Sequence, residues 1–194
     1  MPLPKPHQAK NRVRIIGGAW RSRVLAVADA PGLRPTGDRI RETLFNWLGQ
    51  TLHDQHCLDA FAGSGALGFE AASRAAASVV LCETHRAAYT NLLESRASIG
   101  ASACEVINSD VFSYLNATTK KFDLVFCDPP FAAQLHDKFL TAIAPHLAAG
   151  GQVYVECDRP LDTLPAVSAS YQIVKSGRAG SVYYGLVCLA AARL

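Results

Sequence analysis

None of the six cysteines forms a CxxC pair, so the sequence lacks the signature of a zinc site or a dithiol redox centre. Cys57, Cys82, Cys104, Cys127, Cys157 and Cys188 instead fall in or beside apolar runs, where a reduced thiol packs as a small hydrophobe. No apolar run approaches the length that crosses a bilayer. The opening residues MPLPKPHQAKNRVR are basic but carry no apolar leader stretch, which predicts a cytoplasmic protein. Charge is scarce as well. Charged residues make up 18% against 49% hydrophobic, a balance that excludes a solvated, coreless chain. There is no internal repeat, low-complexity tract or linker. At 194 residues the chain suits one α/β domain with at most a small appendage.

The little charge there is lies unevenly. Residues 1–41 hold nine Lys or Arg against Asp29 and Asp38, leaving +7, while residues 42–194 hold ten basic against fourteen acidic groups, leaving −4. A basic front on a mildly acidic body points to a polyanionic partner met at one end. Val13, Ile15 and Ile16 before Gly17-Gly18, and Leu25 to Val27 after Trp20, predict a β-hairpin turning at the glycines. It would carry Arg12, Arg14, Arg21 and Arg23 along a phosphate backbone. Asp38, Arg39, Arg41 and Glu42 crowd one helix turn, where some are expected to pair with one another and one or more to reach a ligand; Arg34, Arg39 and Arg41 join the candidate polyanion-binding set. Residues 1–35 are therefore expected to form a basic extension, and residues 36–194 the main domain.

Within that domain, Thr36 or Asp38 can cap a helix from Arg39 to Leu48, stopped by Gly49. Strands are expected at His56–Phe61, Val79–Cys82, Ala103–Ile107, Phe122–Cys127 and, after a Gly150-Gly151 turn, Gln152–Cys157. Helices over 67–76, 86–99, 111–117 and 135–147 separate them. Strands at Tyr171–Lys175 and Val182–Leu189 close the chain. Alternating strands and helices ending in a hairpin give an α/β protein whose mainly parallel sheet is covered on both faces.

The chemistry gathers where strands end. Gly63-Ser64-Gly65-Ala66-Leu67-Gly68 lies between a strand and a helix, with Glu83 twenty residues beyond Gly63 where a carboxylate can hold a ribose diol. Dinucleotide and methyl-donor sites share this pattern. Asp59 tilts the choice, since a carboxylate there is awkward beside a pyrophosphate and useful beside a sulfonium or ammonium group. Asp110 can accept from the exocyclic amine of an adenine, or equally cap the next helix. Asp59, Phe61, Ala62, Gly63, Ser64, Gly65, Leu67, Gly68, Glu83, Asp110 and Val111 are the candidate cofactor residues.

The run KFDLVFCDPPF completes the set: Asp128, Pro129, Pro130 and Phe131 follow a hydrophobic strand that neither proline can continue. An amine conjugated to a purine is a poor nucleophile, because its lone pair is delocalised into the ring. The Asp128 carboxylate and the Pro129 carbonyl can accept from its two N–H groups and localise that pair, while Phe131 stacks on the base.

With these motifs the chain resembles the RsmD family of bacterial 16S rRNA guanine-N2 methyltransferases. The resemblance runs through Arg14-Ile15-Ile16-Gly17-Gly18, Gly32-Leu33-Arg34-Pro35-Thr36, Arg41-Glu42-Thr43-Leu44-Phe45-Asn46-Trp47-Leu48, the glycine loop and Asp128-Pro129-Pro130-Phe131. Phe69, Ala72 and the short tail to Leu194 depart mildly from the family pattern. The resemblance implies a three-layer, Rossmann-like class I methyltransferase fold with seven strands in the order 3-2-1-4-5-7-6 and an added N-terminal hairpin. It further implies S-adenosyl-L-methionine as methyl donor and a guanine of 16S rRNA in the small subunit or its assembly intermediate. The leaving group is already a good one, so no metal is expected, and a monomer is expected because a bulky particle must reach the site. Guanine over adenine rests on the resemblance alone. An adenine-N6 methylase, a dinucleotide-dependent oxidoreductase and a non-catalytic RNA-binding assembly factor are the rival readings.

Overall fold

The computed structural model describes residues 12–26 and 37–191. Arg34 and the Gly32–Thr36 motif lie outside them. Seven strands form one sheet: β3 (His56–Asp59), β4 (Ser78–Cys82), β5 (Cys104–Ile107), β6 (Phe122–Cys127), β7 (Leu147–Cys157), β8 (Tyr171–Ala179) and β9 (Val182–Leu189). They lie in the order β5-β4-β3-β6-β7-β9-β8, with the first five parallel and β9 inserted antiparallel between β7 and β8. Counted from β3, that order reads 3-2-1-4-5-7-6. A separate two-stranded sheet pairs β1 (Arg12–Arg14) with β2 (Val24–Ala26).

Both faces of the central strands β3, β4 and β6 are buried, which is why they read as continuous apolar runs rather than alternating ones, while the edge strand β8 is largely exposed. Cys57, Val79, Leu81, Leu124, Phe126 and Tyr154 point to one face, covered by α1 (Asp38–Leu48), α2 (Ala66–Ser73) and α3 (Arg86–Ile99). The alternate residues Leu58, Val80, Val125, Val153 and Val155 point to the other, covered by α4 (Val111–Ala117), α5 (His136–Ile143) and α6 (Pro165–Ser170). All six cysteines are free thiols on strands, and burial pushes Cys57, Cys82 and Cys104 up to about 12. Such thiols are packing groups and poor nucleophiles.

Several boundaries differ from the sequence expectation, each for a local reason. The glycines at 150 and 151 lie inside β7, where the register against β6 shifts between Phe122 and Leu124. A Cβ on Gly151 would stand 2.8 Å from the Phe122 carbonyl oxygen, so only glycine lets the strand continue past the irregularity. Gly37, and not Thr36 or Asp38, occupies the cap position of α1; Asp38 is its first residue and turns its carboxylate to Arg41 instead.

The larger addition concerns Gly17-Gly18. These residues lie in the connection of the expected β1–β2 hairpin, and they do more than turn the chain: the loop from Ile15 to Arg23 folds down onto the end of α2. Ile16 and Gly17 each donate an N–H to Glu70 at 2.8 Å, and Ala19 donates to the Ser73 carbonyl at 2.7 Å. Gly18 has φ +73, and a Cβ there would lie 1.9 Å from the Ser73 oxygen. The glycine pair therefore serves close approach of two backbones.

Candidate active site

The chain runs outward from β3 through β4 to β5, then returns to place β6 on the other side of β3. Strand order reverses at that point, which opens a crevice beyond the carboxyl ends of β3 and β6. A carboxylate stands at or just past the end of each of five neighbouring strands: Asp110, Glu83, Asp59, Asp128 and Glu156, after or on β5, β4, β3, β6 and β7. At about 4.8 Å per strand the row spans roughly 20 Å.

The glycine loop is built around two of these groups. Gly63 (φ +52) donates its N–H to Glu83 Oε2 at 2.8 Å, and His85 donates to Oε1 at 2.6 Å. Gly68 donates to Asp59 Oδ2 at 2.9 Å, and a Cβ on Gly68 would meet Leu81 at 2.9 Å. Ala62 donates to the Cys82 carbonyl, which ties the loop to β4. Gly65 (φ +74) opens α2 with no side chain capping the helix, and a Cβ there would strike Phe69 and Leu92 at 2.6 and 2.7 Å. Ser64 lies between them, and Leu67 is buried in the core below the loop. Phe61 sits edge-on to Phe139 with centroids 5.4 Å apart.

Asp59 is buried, and burial raises its pKa from 3.8 to about 7, opposed by the Gly68 N–H and reinforced by the Glu83 charge. The unfolded chain ionises this group near its ordinary value, while the folded chain retains the proton up to about 7. Its contribution to stability is thus fully present below the unfolded value and lost as pH rises towards 7. In urea titrations over that range, Asp59→Asn is expected to remove a pH-dependent loss on the order of 4 kcal/mol from the ligand-free protein. Identical pH profiles for the two proteins would contradict the assignment.

Asp110 realises the capping reading: Oδ1 accepts from the Ser113 N–H at 3.0 Å and Oδ2 from the Ser113 hydroxyl at 2.6 Å, bonds that hold its pKa low. The carboxylate stays exposed, with Val111 buried beneath it, so lone pairs remain for a ligand amine. On the other side of β3, Asp128 follows the last residue of β6 directly. Pro129 is buried, Pro130 exposed, and Phe131 begins a short 3-10 turn, Phe131–Ala133. Ala60 donates to the Phe126 carbonyl, so the glycine loop and the proline corner share one ladder.

Of the basic residues, Arg12, Arg14, Arg21 and Arg39 are exposed. Arg23 is exposed too, but its guanidinium donates to the Ser98 carbonyl at 2.8 Å and pins the loop to α3. Arg41 is a correction. It is 0% exposed, donates to Asp38 Oδ1 and to the Arg14 carbonyl, and lies 3.7 Å from Glu70, so it cannot meet RNA. Glu70 went unread in the sequence. It lies within a small, apolar helix face, and a lone carboxylate at such a register is the signal that could have exposed it. A concavity of about 520 Å³ at the opposite strand ends, lined by Trp47, His53, Asp54 and Asp123 among others, lies away from this chemistry. Among the described residues no group of three or more His, Cys, Asp or Glu could hold a metal ion.

The carboxylate-lined crevice fits S-adenosyl-L-methionine. It offers acceptors for an ammonium, a ribose diol and an adenine amine, and a buried acid where a pyrophosphate would be repelled. Fold and site together are those of an S-adenosylmethionine-dependent methyltransferase. The chain belongs to the family described as Conserved hypothetical protein 95, whose model matches residues 13–188. It is 43% identical over 187 residues to the ribosomal RNA small subunit methyltransferase D of Escherichia coli K12, covering 95% of this chain and 94% of that protein. Its Haemophilus influenzae counterpart is 40% identical over 186 residues, 92% and 94% of the two chains. The solved structure of the Escherichia coli protein yhhF superposes with a TM-score of 0.82 at 41% identity, over 91% of this chain and 97% of that one.

Proposed function

We propose that this protein transfers a methyl group from S-adenosyl-L-methionine to the exocyclic N2 amine of one guanine in 16S rRNA. The observation that carries the reading is the Asp128-Pro129 corner beside the glycine loop, across the point where strand order reverses. When bound, the cofactor supplies an electrophilic methyl on a sulfonium centre, so the protein has no leaving group to activate. Gly63, Gly65 and the start of α2 hold its methionyl part near Asp59, Glu83 the ribose, and Asp110 the adenine amine.

The remaining work is done on the nucleophile. Asp128 and the Pro129 carbonyl accept the two N–H bonds of the amine and turn its lone pair out of conjugation. Two successive prolines hold both acceptors still, which avoids reorganisation as the bond forms. Phe131 stacks on a base drawn out of its helix. Residues 1–35 act as an RNA-binding extension, with Arg12, Arg14 and Arg21 on phosphates. The partner is a small-subunit particle or its assembly intermediate, met by a monomer in the cytoplasm.

Replacing Arg12, Arg14 and Arg21 together with Ala is expected to weaken RNA binding and to lower the slope of log affinity against log salt by about 2. An unchanged slope would leave the loop purely structural. The function itself is tested by incubating the protein and labelled methyl donor with small-subunit particles, free rRNA and DNA, then identifying the modified base by mass. N2-methylguanine in rRNA is the expected product; N6-methyladenine, or binding without transfer, would overturn the reading.

A further inference from the structure

The fifth carboxylate of the row has no task in the chemistry described above. β7 pairs with β6 as far as Cys127 and Val155, so Glu156 comes level with Asp128 one residue further on. Its side chain shares a face with Tyr154, whose hydroxyl donates to Oε2 at 2.8 Å. Tyr154 in turn lies in the cluster that contains Phe126, two residues before Asp128. Burial first, then the charges of Glu156 and Asp128, push the Tyr154 hydroxyl well above its ordinary value, as two nearby carboxylates would. The backbone is fixed on both sides. His136 bonds the Glu156 carbonyl oxygen at 2.8 Å, and Glu156 pairs with Tyr184 of β9, whose ring stacks on Trp47.

Glu156 is only 6% exposed, and among the described residues no Lys or Arg pairs with it. A buried carboxylate with one hydroxyl donor is costly to maintain, and the cost falls when a further donor arrives. A purine held by its amine at Asp128 brings its neighbouring ring nitrogen to the same strand ends. In guanine that nitrogen, N1, carries a hydrogen; in adenine the equivalent nitrogen carries a lone pair. We propose that Glu156 accepts the N1–H of the target guanine, and so makes the site select guanine over adenine, with Tyr154 orienting the carboxylate. This rests on the function proposed above and supplies the specificity that Asp128 and the prolines, which grip any exocyclic amine, do not provide.

The test uses small-subunit particles reconstituted with the mapped target guanine replaced by 2-aminopurine or by 1-methylguanine. Both keep the N2 amine and lack the N1–H. The unaltered protein is expected to favour guanine over either by roughly 10- to 100-fold in kcat/KM. Glu156→Gln, whose amide can donate to a bare N1, is expected to lose activity on guanine and to bring the guanine to 2-aminopurine ratio within about threefold. A merely structural role would lower both substrates alike and leave the ratio unchanged, which overturns the assignment. Equal use of guanine and 1-methylguanine by the unaltered protein overturns it too, and that arm stands even if the Gln variant fails to fold. Tyr154→Phe provides a second variant, expected to narrow the same ratio. If no methyl reaches guanine N2 at all, the function reading fails; if N2-methylguanine forms but the ratio is indifferent to Glu156, only this inference fails.

Discussion

Asp128→Ala is expected to lower the single-turnover rate of methyl transfer by about 10³-fold while changing cofactor affinity by less than about threefold. Removing one preorganised hydrogen-bonding group aimed at developing charge costs about 10²- to 10³-fold in related chemistry. Here the loss falls at the upper end of that range, because the same group also positions the amine for in-line attack. The residues proposed for the cofactor lie elsewhere, on the loop tied to β3 and β4 and on the far side of β4. Asp128→Asn sharpens the expectation. Its amide oxygen still accepts one N–H from the same backbone corner, so its rate is expected to lie between those of the Ala variant and the unaltered protein. Rates come from labelled methyl donor in single turnover, cofactor affinity from calorimetry. An Ala variant keeping more than a tenth of the rate would remove Asp128 from the mechanism; lost cofactor binding would make it part of the cofactor site instead.

The sequence made the strand ends easier to read than the places where elements meet. The glycine loop, Glu83 and the proline corner declare themselves because their backbone demands are local: positive φ at Gly63 and Gly65, close packing at Gly68, no ladder donor at Pro129. The strands were legible for a similar reason, since burial on two faces leaves no polar alternation to confuse with a helix. Gly17-Gly18 reads as a hairpin turn, which it is, but its close approach to α2 was not legible, because the partner, Ser73, lies more than fifty residues away. Arg41 takes the pairing reading of its charged turn and not the ligand reading, again through distant chain. Its neighbours Asp38, Arg39 and Glu42 are exposed, and only the packing of α1 against Glu70 of α2 buries this one cation. Charge in a sequence reports what a residue can bind; burial, set by distant chain, decides what it does bind.

Glu70→Ala carries the other large effect. Glu70 is 0% exposed, accepts two backbone N–H groups from the N-terminal loop, and pairs with Arg74 at 2.9 Å and Arg41 at 3.7 Å. Nε and Nη1 of Arg41 have no hydrogen-bond partner, so this guanidinium depends on the charges of Glu70 and Asp38. Truncating the carboxylate leaves two buried cations short of counter-charge, a change that costs about 3–5 kcal/mol. For a chain of this size that corresponds to a fall in Tm of about 6–20 °C. The molecule has a cheaper escape, which is to release the loop and let water reach both arginines. The Ala variant is therefore expected to show new proteolytic cuts within residues 15–23 and RNA affinity as low as that of the triple arginine variant. Cofactor binding should stay close to normal, since Gly63, Gly68 and Glu83 keep their own bonds. Glu70→Gln retains the shape and one acceptor without the charge, and should fall between. A Glu70→Ala protein that melts within 2 °C of the unaltered one, with its loop uncut, would mean that the basic loop is held by Ser73 and Arg23 alone. Otherwise one carboxylate on α2 holds the exposed arginines of the loop in register with the crevice at the strand ends.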